Sequence, residues 1–325
     1  MTFDERVKEV AEFGLTERQA GFLVNVMLHS GVFVRRQYCA WARLTHGEKV
    51  HQFIKLLDRR RVATSQPCGH GRGRVYHVHY KPLYEAIGER DTRLRRPAQL
   101  ARAVERLMLL DGVLLDRSLT WLGTERDKVH HFTVRLSLRR ELLPFARFGR
   151  ADSPTVRYFA ERMPIGVDSA DHHHAFLFLA TRSQTGRFRV FLERHAELFR
   201  MLPSWSVRVL VPRHVTDAKK PYRRAFTEHL TEPLPMETTT ELRWYFHARR
   251  GAGTERDERF FDAEVGFARP RFQALFEAWQ EQGDRVLDAA SSPVLKDAVA
   301  RGDGCLEFVV LPYPYLHLLP LVGTA

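Results

Sequence analysis

The chain has 325 residues, 44% of them hydrophobic, three cysteines and a formal net charge of +12. That composition excludes a disordered chain and a disulfide-built secreted scaffold, and the charge favours a polyanionic partner. The length allows two domains, each with its own core. Cys39, Cys68 and Cys305 are far apart and odd in number, which suits a reducing cytoplasm. The opening Met1-Thr2-Phe3-Asp4-Glu5-Arg6 has no signal-peptide character. No apolar run reaches the roughly 18 residues of a membrane helix, because Pro312, Pro314 and Pro320 interrupt the apolar tail.

Residues 1–14 form a polar N-terminal lead. Residues 15–88 organise the rest. Thr16-Glu17-Arg18-Gln19 is a capping box, and Phe22, Leu23, Val26 and Met27 follow at helical spacing, so a helix should run to about Ser30. Val32-Phe33-Val34 is short and β-prone. A second helix passes through Tyr38, Trp41 and Leu44. Thr45-His46-Gly47-Glu48 looks like another capping box, opening a third helix with the apolar stripe Val50, Phe53, Ile54 and Leu57. Strand-like runs at 62–64 and 75–80 flank the Gly- and Arg-rich loop 67–74, and 81–87 should be a short closing helix. Helix, strand, helix, helix, hairpin is the order of a winged helix-turn-helix, in which the third helix enters the major groove.

Charge supports that reading. Between Arg35 and Lys81 there are eleven Lys and Arg against two acids, Glu48 and Asp58. The candidate phosphate contacts are Arg35, Arg36, Arg59, Arg60, Arg61, Arg72 and Arg74. Lys49, His51, Gln52 and Lys55, on the polar face of the third helix, are placed to reach base edges. Winged helices also serve as protein-docking modules, so a structural adaptor remains a second reading.

Residues 89–112 read as a charged linker and a connecting helix from Pro97 to about Leu110. Residues 113–325 read as an α/β domain with a helical C-terminal extension. Residues 119–128 look like a loop, and Val156 to Glu161 a strand or short helix. The runs 163–168 and 174–180 make a hairpin, 187–202 an amphipathic helix and 206–212 a strand. Helices are expected at 221–230, 238–250, 270–281 and 291–301, with a last strand from Cys305 to Pro312. The fold class is therefore α+β.

Strand, strand, helix, strand is also the order of a restriction-endonuclease-like core. Such a nuclease places an acid at the end of one strand and an acid and a lysine on the next, to hold a divalent metal. Asp168 stands where the first acid would lie, and Glu161, Glu125, Asp127 and Glu193 are the acids geometry could add. The next strand, 175–181, has neither acid nor lysine, which argues for a non-catalytic core. Cys68, His70, His77 and His79 match no standard zinc spacing. The loop triplet His172-His173-His174 does not converge easily. No metal or cofactor is therefore expected. P-loop, nucleophile-elbow and dinucleotide fingerprints are absent from the sequence.

With these elements in order, the chain resembles the replication-relaxation family of bacterial plasmids and other mobile elements. The resemblance rests on Leu15-Thr16-Glu17-Arg18-Gln19, on Leu56-Leu57-Asp58-Arg59-Arg60-Arg61-Val62 and on the strand–helix–strand run at 163–212. It implies an N-terminal winged helix and a restriction-endonuclease-like C-terminal domain. The expectation is a cytoplasmic, non-catalytic protein that binds double-stranded DNA. It would be a homodimer, work with another protein of the same element, and have no membrane partner. A divalent-metal-dependent DNA nuclease is the enzymatic alternative.

Overall fold

A computed structural model describes residues 1–68, 73–149, 154–182, 184–251 and 257–315. The chain falls into two units. Unit 1 holds Met1–Thr124, Leu210–His214 and the segment from Val309; unit 2 holds Glu125–Val209 and Val215–Phe308. Both mix helix and sheet, so the protein is α+β.

In unit 1 the N-terminal lead is a helix, α1 (Phe3–Ala11), closed by a Thr2–Glu5 capping box and burying Val10. The Thr16–Gln19 box forms with reciprocal bonds of 3.3 and 3.0 Å and opens α2 (Glu17–His29). Gly31 then turns the chain at φ +72, where a Cβ would collide with the Leu94 carbonyl. Next come β1 (Val32–Val34), α3 (Arg35–Ala42) and α4 (Glu48–Arg59). The predicted box before α4 does not form. Gly47 takes the N-cap position and offers no side chain, so Thr45 lies too early to cap.

The helix α4 ends in a Schellman turn. Val62 N–H bonds the Leu57 carbonyl at 2.8 Å and Arg61 N–H bonds the Asp58 carbonyl at 2.9 Å. Arg61 sits in the left-handed region, φ 54, where glycine is usual. The strands β2 (Ala63–Pro67) and β3 (Arg74–Val78) follow, then α5 (Lys81–Ala86), α6 (Leu100–Leu115) and β4 (Thr120–Leu122). Antiparallel pairing gives the order β1-β3-β2, with Tyr76 between Phe33 and Ser65. The core is aromatic: Phe22 meets Phe33 and Tyr38 edge-on, each at 5.2 Å, and Tyr38 stacks on Phe53 at 4.1 Å. The predicted connecting helix, α6, packs on α2, α3 and β1.

Unit 2 opens with α7 (Glu125–His130), in a stretch predicted as loop, and continues in one turn of π-helix, His131–Arg135. The strands β5 (Phe145–Phe148) and β6 (Thr155–Tyr158) form a two-stranded antiparallel ribbon. Then come β7 (Ile165–Val167), β8 (His173–Leu179), α8 (Gly186–Met201) and β9 (Ser204–Val211). The chain ends in α9 (Lys219–Phe226), α10 (Met236–Arg250), α11 (Glu258–Gly266), α12 (Pro270–Gln282), α13 (Arg285–Ser291), α14 (Val294–Arg301) and β10 (Gly304–Val310). The sheet order in this unit is β10-β9-β8-β7, and β7 pairs antiparallel with β8. As the unbroken apolar run predicts, β8 is buried from His174 to Leu179. The C-terminal helices close a second core around Tyr245, Phe246, Phe260, Leu275 and Trp279. Among the described residues no helix is long and apolar enough to cross a membrane.

Candidate nucleic-acid interface

The clearest candidate surface is the outer face of α4. Its inner face buries Val50, Phe53, Ile54 and Leu57. That burial fixes the helix and turns Lys49, His51, Gln52, Lys55 and Arg59 to solvent. Gln52 donates to Glu48 at 3.1 Å, which holds its amide along the same face. Lys49, Lys55, Arg59 and Arg61 make no ion pair among the described residues. A helix that leaves its cations unneutralised on one face offers them to an outside anion.

The flanking elements add to this face. Arg74 is exposed on β3, and its Nε donates to the Ser65 hydroxyl on β2 at 3.0 Å, so the hairpin holds that guanidinium in place. Arg35 is exposed at the start of α3, and its Nε donates to the Tyr76 hydroxyl at 2.8 Å. Sequence reasoning passed over Arg43. It is exposed in the connection from α3 to α4, in a left-handed conformation with φ 52. Its signal was position alone, between the two helices that would straddle a phosphate backbone.

Two predicted contacts are engaged elsewhere. Arg36 grips Asp111 of α6 through two bonds of 2.7 and 2.8 Å. Its guanidinium also lies 3.8 Å from the Tyr313 ring centroid. Gln37 donates to the same carboxylate at 2.9 Å, and the Tyr315 hydroxyl donates to its other oxygen. Burial and the adjacent Asp111 push the Tyr315 hydroxyl well up, so it stays a donor. Asp111 is only 3% exposed, and an acid that buried requires a cation. Arg36 supplies it and is not left for phosphate. Arg60 bends back instead of outward and donates to the Phe13 and Gly14 carbonyls after α1. Arg72 and His70 lie outside the described residues.

The residues considered for metal chemistry have other work. Asp168 accepts from the His172 amide at 2.7 Å and closes the turn between β7 and β8. Glu161 pairs with Arg194 at 2.8 Å. Burial raises the Glu161 carboxyl, but His195 and Arg194 hold it below its usual range. Glu125 accepts from the Tyr158 amide at 2.7 Å, and Glu193 accepts from His229 Nδ1. The histidine triplet diverges: His173 bonds Ser204 and Ser206, while His174 meets His131 with the two Nε2 atoms 2.9 Å apart. His77 Nε2 lies 3.2 Å from the Leu94 carbonyl oxygen, and Cys68 is buried. Among the described residues no three His, Cys, Asp or Glu side chains converge on a common point.

A lysine that sequence reasoning missed lies inside unit 2. Lys128 is fully buried and donates to the Met163 carbonyl at 2.6 Å, and burial lowers it to about 8. It belongs to α7, and the run of charges around it made that segment look like a loop. The cleft nearby is lined by Phe159, Glu161, Met163, Phe176, Phe191 and His195. No family model, no curated protein and no solved structure matches this chain.

Proposed function

We propose that unit 1 is a winged-helix module that binds duplex DNA, with α4 in the major groove and the β2–β3 hairpin as its wing. The order α2, β1, α3, α4, β2, β3 and the sheet order β1-β3-β2 support that reading. The observation that carries it is the outer face of α4, where Lys49, His51, Gln52, Lys55 and Arg59 stand exposed over a fully used apolar stripe. In this account Lys49, His51, Gln52 and Lys55 reach base edges, while Arg35, Arg43, Arg59, Arg61 and Arg74 meet phosphates.

Unit 2 is proposed as a restriction-endonuclease-like core that serves as a scaffold rather than a nuclease. The succession β7, β8, α8, β9 supports the fold. The engagement of Asp168, Glu161, Glu125 and Glu193 within the chain supports the scaffold role. Service to a plasmid or other mobile element follows from the family resemblance alone.

The test is a fluorescence-anisotropy titration of the full chain with duplex DNA at several salt concentrations, with and without Mg²⁺, followed by a gel of the DNA. Salt-sensitive binding with intact DNA is the expected result. Absence of binding at low salt would overturn the proposal, and cut DNA in the Mg²⁺ samples would overturn the scaffold role.

A further inference from the structure

The sheet of unit 2 ends on an edge with no further strand among the described residues. That edge is β10, seven residues long, which pairs only with β9. Trp205 N–H donates to the Asp303 carbonyl at 2.8 Å, and Leu311 N–H donates to the Val211 carbonyl at 3.0 Å. These two bonds fix a regular parallel register in which the odd-numbered residues of β10 face β9. Gly304, Leu306, Phe308 and Val310 therefore direct their N–H and C=O groups away from the sheet. Among the described residues no hydrogen bond reaches those groups.

An open edge is a template for another strand, and folds usually blunt it. The other edges of this chain are blunted. β1 and β4 have three residues each, β2 ends in Pro67, and β5 and β6 have four residues each and carry Arg147 and Arg157. From Gly304 to Val310 there is no proline, lysine or arginine. Cys305, Leu306, Phe308, Val309 and Val310 stand around one acid, Glu307. Val310 is 47% exposed, and Leu306 and Phe308 are only partly buried.

This edge matches a second copy of itself. A two-fold axis sets an edge strand antiparallel to its own copy, so that its donors meet its acceptors. Centred on Glu307, the pairing puts Leu306 opposite Phe308 of the copy and Gly304 opposite Val310, and every outward N–H and C=O is used. Leu306 and Phe308 then form an aliphatic–aromatic pair on each side of the axis, and Cys305 meets Val309 on the other face. The two Glu307 side chains come opposite each other, where like charges repel. Arg208 removes that obstacle, because its Nε bonds Glu307 at 2.6 Å in each copy. A peptide of unrelated sequence would match the main chain but not this mirror order about Glu307.

We propose that β10 pairs antiparallel with β10 of a second copy, joining two sheets into one across a two-fold axis. The contact needs no DNA, so it stands or falls apart from the reading of α4.

Sedimentation velocity of the full chain without DNA, from about 1 to about 100 µM, should show monomer passing to dimer. Leu306→Pro/Val310→Pro removes two outward N–H groups and no bond to β9, and proline is tolerated on such an edge. Each loss counts twice in the dimer, so the dissociation constant should rise roughly a hundredfold or more, while the dilute chain melts unchanged. Amide hydrogen exchange of the unmodified chain gives a readout that needs no variant. The amides of Leu306, Phe308 and Val310 should exchange slowly in the concentrated chain and fast on dilution, while those of Glu307 and Val309, bonded to β9, stay slow throughout. A chain that stays monomeric at the highest concentration would overturn the proposal. So would a dimer that the folded proline pair leaves intact, or exchange at 306, 308 and 310 that does not follow concentration.

Discussion

Helices α4 and α8 are both amphipathic, and both carry arginine, histidine and glutamate, yet they use them in opposite directions. In α4 the charged residues point outward, and Lys49, Lys55 and Arg59 find no carboxylate among the described residues. In α8, Arg189, Glu193 and His195 are buried. Arg189 pairs with Glu228 and lies 2.9 Å from His229 Nε2, and Glu193 takes the other ring nitrogen. His195 donates from Nδ1 to the Phe191 carbonyl one turn back, at 2.8 Å. A polar side chain therefore points to a ligand only where the chain fails to supply its partner. The same contrast separates Arg59, which is exposed and makes no ion pair among the described residues, from Arg36, which Asp111 holds.

Substitutions on both helices and around them test this contrast. The largest effect is expected from Glu193→Ala. It leaves the His229 Nδ1–H without an acceptor in a buried site, and a buried donor so orphaned costs up to about 3 kcal/mol. Chemical denaturation reads it, and an unchanged midpoint would mean that the α8 network is not structural.

Acid should act on the same unit. Burial lowers His131, His174 and His195 each to about 4. Between pH 6.5 and 4 the unfolded chain then binds protons that the folded chain refuses. Stability is present in full above about 6.5 and is lost as pH falls toward 4, by roughly 3 kcal/mol for His195 alone. Thermal melting across that window reads the loss, and a flat profile would contradict burial of the neutral rings.

Gly304→Ala should cost about 1–3 kcal/mol, because the new Cβ would sit 2.4 Å from Cζ2 of the fully buried Trp205. Arg60→Ala should lower stability by about 1 kcal/mol, because the Phe13 and Gly14 carbonyls are left without their donor, while Arg59→Ala should change it by less than about 0.5 kcal/mol. Comparing their melting temperatures separates the arginine that donates to backbone carbonyls from its exposed neighbour that does not. Smallest of all, Arg61→Gly should stabilise the turn after α4 by about 0.5 kcal/mol, because glycine takes φ 54 without strain.

How much was legible follows the same line. Local signals gave α2 and its cap, the apolar stripe of α4, the β7–β8 hairpin and α8, because each depends on neighbours in sequence. The second cap failed because Gly47, not Thr45, stands at the helix start. The intrachain partners of Arg36 and Arg60 were not legible because Asp111 and the carbonyls after α1 lie 75 and 47 residues away. The segment that forms α7 looked like a loop because its charges hid a buried Lys128. Helices α11 and α13 were missed because each is short and contributes only part of its surface to the core around Trp279.

The most direct test of the central claim is the salt dependence of duplex binding by Lys49→Ala/Lys55→Ala/Arg59→Ala against the unmodified chain. Binding should be at least tenfold weaker at low salt, with a slope flattened by about one for each phosphate deprived of its cation and an unchanged melting temperature. An identical affinity and slope would contradict it, because the outward cations of α4 would then meet no polyanion.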